Sequence, residues 1–301
     1  MQIRPLPPAQ AWRWFVEAIN LGVRNPRAIF GAALLLVGSL YMLVVIGGVL
    51  AGMVGGGQAT TPMLVITLMT VVGVFLLVPV LVGGLMHVIR EAEAGRPVRA
   101  SDLFEPFKAG RAGKLAAFGS LQILLMALGM IITRQLAGED YMSAYNEAVN
   151  AMIQQQEVVP LPTPAHPALL FFWQIAFNYF TTTLMLLGVA LVMLSGSRFL
   201  DAVKSAATAA LRNIAPNLLA AGLFFAALMI VVMVLSVFVS VVLLILGKLF
   251  MPLAFLVGLI LTFALIAAVL VVICGGGYLI WRDTFADDGA RPASGGHSIT
   301  L

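Results

Sequence analysis

The chain has 301 residues, of which 61% are apolar and only 10% charged, with a net charge of +4. A water-soluble domain carries about a quarter of its residues as charges, so this composition cannot clothe a surface of normal size in water and points to lipid as the main solvent. The single cysteine, Cys274, excludes an intrachain disulfide and any cysteine-cluster metal site.

Residues 1–27 hold prolines, arginines and aromatics but no apolar core of the length a cleavable signal needs. The first span is therefore expected to act as an uncleaved insertion signal. From Pro8 to Asn25 the pattern predicts a cytoplasmic surface helix. Trp12, Phe15, Val16, Ile19 and Val23 recur at helical spacing, with Arg13, Glu17, Asn20 and Arg24 turned away. Arg13 and Glu17, four apart, are placed to pair. Such a helix would lie among the headgroups, its arginines favouring anionic lipid.

No Asp, Glu, Lys or Arg occurs from Ala28 to Ile89, Val158 to Ser197, Asn213 to Gly247 or Leu249 to Trp281, and a shorter neutral run covers Leu115–Thr133. About 20 apolar residues suffice to cross the hydrocarbon layer as a helix. We read six spans, near 28–54, 63–89, 115–136, 169–194, 217–247 and 253–281. The fold class is thus all-α, an integral membrane bundle of six transmembrane helices with amphipathic interfacial helices. Nothing alternates with period two, and the spans are too long for barrel strands. The first pair is divided by the Gly-rich turn from Gly55 to Pro62, the last near Gly247-Lys248 with Pro252 opening the next helix.

Of the 17 Lys and Arg residues, 15 fall in the N-terminal segment, the 90–114 and 196–216 loops and the tail. The 137–167 loop has none but carries Glu139, Asp140, Glu147 and Glu157. By the positive-inside rule both termini are cytoplasmic and the acidic loop exoplasmic. Arg134 and Lys248 sit at opposite-side helix ends, where long side chains snorkel. The four tryptophans, Trp12, Trp14, Trp173 and Trp281, all fall near an expected membrane boundary and read as interfacial anchors.

Two further segments read as interfacial helices. One starts at a Ser101-Asp102 cap and presents Leu103, Phe104 and Phe107. The other starts near Ser197 and presents Phe199, Ala202, Val203, Ala206, Ala210 and Leu211. Each amphipathic segment precedes a pair of spans, which suggests a threefold repeat of helix pairs, and Arg24-Asn25-Pro26 is echoed by Arg212-Asn213-Ile214-Ala215-Pro216. Chance similarity among basic loops is the competing explanation. In the exoplasmic loop Tyr141, Met142, Tyr145, Ala148, Val149, Met152 and Ile153 mark another amphipathic helix, followed by a Pro-rich connector from Val158 to Pro167. It is either a helix lying on the outer face, or a lid or docking surface. The tail, 282–301, reads as cytoplasmic and disordered.

Two features of the spans carry candidate function. Gln174, Asn178, Thr181 and Thr182 form a polar stripe that either lines a cavity or hydrogen-bonds a neighbouring helix; Gln122 sits within the third span. Gly48, Gly52 and Gly56, and beside them Gly47, Ala51 and Gly55, form small-residue ridges suited to close helix contact. Pro79 with Gly83-Gly84 suggests a kink, and Gly275-Gly276-Gly277 admits either packing or flexibility. No acid lies inside a span, which argues against a carboxylate proton relay. His87 reads as a boundary residue. His87, His166 and His297 are divided between the two sides, so they cannot share a metal. Nucleophile-elbow, zinc-protease, phosphate-loop and Cys-x-x-Cys patterns are missing. No cofactor, metal or nucleic-acid partner is expected.

The run Pro79-Val80-Leu81-Val82-Gly83-Gly84-Leu85-Met86, continuing into Gly95-Arg96-Pro97 and Asp102-Leu103-Phe104-Glu105-Pro106-Phe107, resembles a family of uncharacterised proteobacterial multi-pass inner-membrane proteins. Trp12-Arg13-Trp14 followed by Arg24-Asn25-Pro26 resembles the same group. The likeness is strongest over the first 120 residues and implies a bacterial inner-membrane location with no assigned activity, so no catalytic residues carry over. Three functions follow as expectations. The first is a non-enzymatic membrane protein acting through helix packing with protein or lipid partners, as a homo- or hetero-oligomer. The second is a transporter or channel for a small neutral or amphiphilic solute, using the polar stripe. The third is a lipid-directed enzyme, for which only His87, Glu91, Glu93, Asp102 and Glu105 come close together in sequence.

Overall fold

A computed structural model describes residues 3–56, 60–154 and 160–285. Ten α-helices and one 3-10 turn follow one another in it: α1 (Gln10–Arg24), α2 (Pro26–Gly55), α3 (Thr61–Glu93), the 3-10 turn Ala100–Phe104, α4 (Glu105–Lys108), α5 (Ala112–Ala137), α6 (Tyr141–Ile153), α7 (Pro167–Ser195), α8 (Phe199–Arg212), α9 (Ile214–Leu249) and α10 (Met251–Phe285). Six of these, α2, α3, α5, α7, α9 and α10, are long and apolar enough to cross a membrane. The fold is an all-α membrane bundle. Several helices outrun the neutral stretches that announce them, α3 to Glu93 and α10 to Phe285, because a helix need not end where the hydrocarbon does.

The element boundaries have local causes. Asn25 leaves the helical region and its side chain accepts from the Ala28 N–H at 3.3 Å, while Pro26, lacking an N–H, opens α2. Gly56 closes α2 with φ +55, and Thr60 caps α3 by accepting from Met63 N–H. Residues 57–59 of the expected Gly-rich turn, 158–159 of the connector, and the tail beyond 285 with His297 and Arg291 lie outside the described residues. The last break falls at Phe250, past the expected Gly247-Lys248, since α9 runs through both. The second interfacial segment also differs. Asp102 is not its N-cap but accepts the Arg99 N–H at 2.8 Å from within a 3-10 turn. The order short element, span, span holds for α1–α3 and for α8–α10; between them the 3-10 turn and α4 precede α5 and α7, but α6 stands between those two spans.

The chain forms two compact units. One comprises the chain to Gly119 and again from Thr183; the other is Ser120–Thr182. In the first, the core sits at the end where the Arg4 N–H meets the Thr284 carbonyl. Its fully buried side chains include Trp14, Ile29, Leu36, Leu81, Leu85, Met86, Ile89, Leu103, Phe118 and Leu191. Toward the α2–α3 and α9–α10 turns the burial runs out. Tyr41 and Phe263 still meet edge to face at 5.1 Å, but beyond them Met42, Val45, Val49, Leu64, Leu68, Phe255 and Ile260 are exposed. None of the most apolar 18-residue stretch of α9 is buried.

Glycines let this core close. On α10, Gly275 faces Ala18 and Leu21 of α1, Gly276 faces Phe224 of α9, and Gly277 faces Met86 of α3 and Leu186 of α7. Three successive residues thus admit neighbours on three sides of one helix. Pro79 has no N–H for the Phe75 carbonyl one turn earlier, and Gly119 of α5 packs so closely there that a Cβ would collide with that oxygen. Gly84 lies directly beneath the Leu103 carbonyl. In the second unit, Gly129 packs against the Phe177 ring, Trp173 donates to Thr133 Oγ1 at 3.2 Å, and the connector returns to the end of α5 through Ala165 N–H to Ala137 O at 2.9 Å.

Candidate functional site

The densest polar chemistry gathers where α1, α3 and α10 meet. Arg282, near the end of α10, donates Nη1 to Glu93 of α3 at 2.7 Å, Nη2 to Glu17 of α1 at 2.8 Å and Nε to Asp283 at 3.0 Å. Tyr278, one helical turn earlier, donates its hydroxyl to the other Glu93 oxygen. Asp283 in turn accepts from Gln10 Nε2 at 2.6 Å and Trp14 Nε1 at 2.8 Å. One guanidinium therefore satisfies three carboxylates, and α1 is fastened at three positions along its length. Charge-assisted bonds of this kind are the strong ones, and a fork of N–H donors suits Arg rather than Lys.

A second set lies beside it. Glu91 is held by Arg90 and by Arg96, and His87 Nδ1 stands 3.9 Å from the same carboxylate. The Glu91 partner raises the exposed Arg96 guanidinium above its ordinary range. Arg90 donates to the Leu194 carbonyl at 3.1 Å, and Arg111 donates to that of Met193. Both carbonyls belong to the last turn of α7, where the helix has no N–H left to offer and its dipole favours cations. Trp281 completes the clamp by donating to Ser195 Oγ at 3.2 Å. The acids that came nearest to a reactive cluster in the sequence are thus engaged by arginines, apart from Asp102 at its turn and Glu105, 3.9 Å from Lys108. Among the described residues no group of His, Cys, Asp or Glu is arranged to hold a metal ion.

The tryptophans divide. Trp14 is 0% exposed and belongs to the core, which corrects its reading as an interfacial anchor; a bulky indole with a bonded N–H is worth more against α10 than in lipid. Trp12 is 59% exposed, and Trp173 and Trp281 are half-buried with their N–H groups bonded inside the chain. The packed face of α1 is Ala11, Trp14, Ala18, Leu21 and Gly22, whereas Val16, Ile19 and Val23 of the expected apolar face point outward. Glu17 pairs with Arg282, not with Arg13.

The polar stripe on α7 also divides. Gln174, Asn178 and Thr182 are exposed, and the Asn178 amide donates to the Gln174 carbonyl at 2.8 Å. Thr181 is buried and its hydroxyl donates to Phe177 O at 2.6 Å. The four therefore do not converge on one enclosed space. Of the two glycine ridges, Gly47 and Gly55 meet Thr70 and Met63 of α3, while Gly48, Gly52 and Gly56 face open space. α8 buries Ala202, Ala206, Ala209 and Ala210 and leaves Leu211 exposed; α6 buries Ala148 and exposes Met142, Tyr145, Met152 and Ile153.

The Arg282 hub was missed in the sequence. The available signal was an Arg-Asp pair closing an apolar run, with one acid each in the first short helix and at the end of the second span. Asn213 was missed too. Its side chain accepts from Leu6 N–H at 2.9 Å and donates to Arg4 O at 3.1 Å, tying the N-terminal segment to the start of α9.

These features define a helical, multi-pass membrane protein with a charged collar at one end of its core. Comparison with family models, curated proteins and solved structures finds no match for this chain.

Proposed function

We propose that the chain is a non-enzymatic protein of the bacterial inner membrane, with both termini cytoplasmic, that works through packing of its helices against protein or lipid partners. The observation that carries this reading is the contrast between the two ends of the first unit. At the collar, charges are matched and side chains buried. Toward the turns, α2 exposes Val49 and Met53 beside the open Gly48/Gly52 ridge, and α9 exposes Val237, Phe238, Val241 and Leu244, none of them buried among the described residues. In hydrocarbon an apolar face needs no cover, but a small-residue ridge on a helix that already uses its other ridge against α3 offers a second helix close approach. The contact of Arg4 N–H with Thr284 O agrees with termini on one side. The outward polar stripe lends the transporter reading little support.

The test is site-specific photo-crosslinking in cells from Gly52 and Val237. Adducts to a second copy, another membrane protein or a lipid are expected. No adduct from either position, together with solute uptake that depends on the chain, would overturn the proposal in favour of transport.

A further inference from the structure

The helix α1 has three faces: at about 100° per residue, the polar stripe lies roughly 90° from the apolar stripe and roughly 120° from the packed face. Ala11, Trp14, Ala18 and Leu21 pack on the core. Trp12, Val16, Ile19 and Val23 form an exposed apolar stripe. Arg13, Asn20 and Arg24 form an exposed polar stripe beside it, and Arg27, also exposed, follows across the Asn25-Pro26 junction. The one acid on α1, Glu17, is taken by Arg282. Among the described residues no carboxylate lies within 4.0 Å of Arg13, Arg24 or Arg27. Local spacing would have neutralised Arg13 through Glu17; the collar removes that partner and leaves three positive charges beside four large apolar side chains.

We propose that this outward face of α1 is a docking surface for anionic phospholipid headgroups of the leaflet it lies in. The inference rests on the membrane reading above and names the partner of this face. Water alone leaves the stripe uncovered, and a neutral lipid surface leaves the arginines uncompensated. Phosphate groups over acyl chains match both: the apolar side chains enter the upper hydrocarbon while the guanidinium groups donate to phosphate oxygens, Arg24 keeping one N–H on the Glu93 main-chain carbonyl at 3.3 Å. The acids that could compete, Glu17, Glu93 and Asp283, are already held by Arg282, so the face carries no countercharge of its own.

The test uses the purified full-length chain in micelles holding equimolar phosphatidylglycerol and phosphatidylethanolamine, with retained lipid counted by native mass spectrometry. Wild-type protein is expected to enrich phosphatidylglycerol. The triple variant Arg13→Gln, Arg24→Gln, Arg27→Gln is expected to lose that enrichment about five-fold or more, the loss that even one such charge carries at an anionic surface. The matching triple change to Lys keeps most of it, and the triple Arg198→Gln, Lys204→Gln, Arg212→Gln on α8 keeps more than half. No preference in the wild type, or an equal loss from the α8 variant, would overturn the proposal. Crosslinks from Gly52 and Val237 are read separately, so a lost lipid preference with those crosslinks intact removes this inference and leaves the broader one standing.

Discussion

Glu93 of α3 and Arg282 of α10 form an ion pair at 2.7 Å, with the Glu93 side chain only 7% exposed. Two spans far apart in sequence are thereby fixed at one end, and Glu17 brings α1 to the same guanidinium. Buried pairs add little net stability against a well-packed apolar alternative, yet removing one partner strands the other. Arg282→Met is therefore expected to cost about 3–5 kcal/mol, read as a lowered midpoint of thermal unfolding in detergent. Glu17→Gln, at a half-exposed carboxylate, is expected to cost no more than about 1 kcal/mol. Equal losses from the two would mean that the hub is not hierarchical.

Trp14 and Trp12 differ by two positions and by their whole environment. Trp14→Ala is expected to destabilise by about 3–5 kcal/mol, and Trp14→Phe by less, since it loses the N–H bond to Asp283 and part of the ring volume but keeps an aromatic ring in the core. Trp12→Ala is expected to leave the unfolding midpoint unchanged. The opposite ranking would show that α1 packs by its other face.

The glycines separate in the same way. Gly84→Ala and Gly119→Ala push a methyl into the Leu103 and Phe75 carbonyls, a backbone clash expected to cost about 1–3 kcal/mol or more. Gly52→Ala meets nothing within 4 Å among the described residues and is expected to leave the isolated protein as stable as before. Gly52→Leu is then expected to weaken any crosslink formed from the neighbouring face in cells. A purified Gly84→Ala protein with an unchanged midpoint would contradict the packing described here.

Asn213, the N-cap of α9, and Asn217, one turn on, are expected to answer mutation with opposite sign. Asn213→Ala removes both bonds to the N-terminal segment and is expected to destabilise by about 1–3 kcal/mol. Asn217 is buried with neither amide atom bonded, so Asn217→Leu, which deletes two unsatisfied groups at similar volume, is expected to be neutral or stabilising. Marked destabilisation by Asn217→Leu would reveal a partner for that amide, such as an ordered water.

The spans were legible because their signal is local: a helix in hydrocarbon must keep charge out along its whole length, and Ala28–Ile89 or Asn213–Gly247 says so without reference to any neighbour. The faces were not. On α1 the apolar period marks Trp12, Val16, Ile19 and Val23 as the lipid-facing side, and they are exposed, but it says nothing of the packed side, whose small residues Ala11, Ala18 and Gly22 let Gly275 and Phe30 approach. Glu17 has a local partner four residues back and a stronger one 265 residues on; spacing rules see only the first. The same limit hid the roles of Gly275, Gly276 and Gly277, each set by a different distant helix. In the polar stripe, period alone grouped Thr181 with Gln174, Asn178 and Thr182, although its hydroxyl turns to its own helix.

A collar end facing the cytoplasm and turn ends facing outward predict opposite accessibility to a cysteine reagent at the two ends. The native Cys274 is buried, so single substitutions Arg13→Cys, Lys108→Cys, Lys204→Cys, Glu147→Cys and Lys248→Cys report on their own positions. With a membrane-impermeant maleimide applied to intact cells whose outer membrane has been opened, Glu147→Cys and Lys248→Cys are expected to label, and the other three only after the inner membrane is broken. Labelling of Arg13→Cys, Lys108→Cys and Lys204→Cys from outside, with the other two protected, would contradict the account.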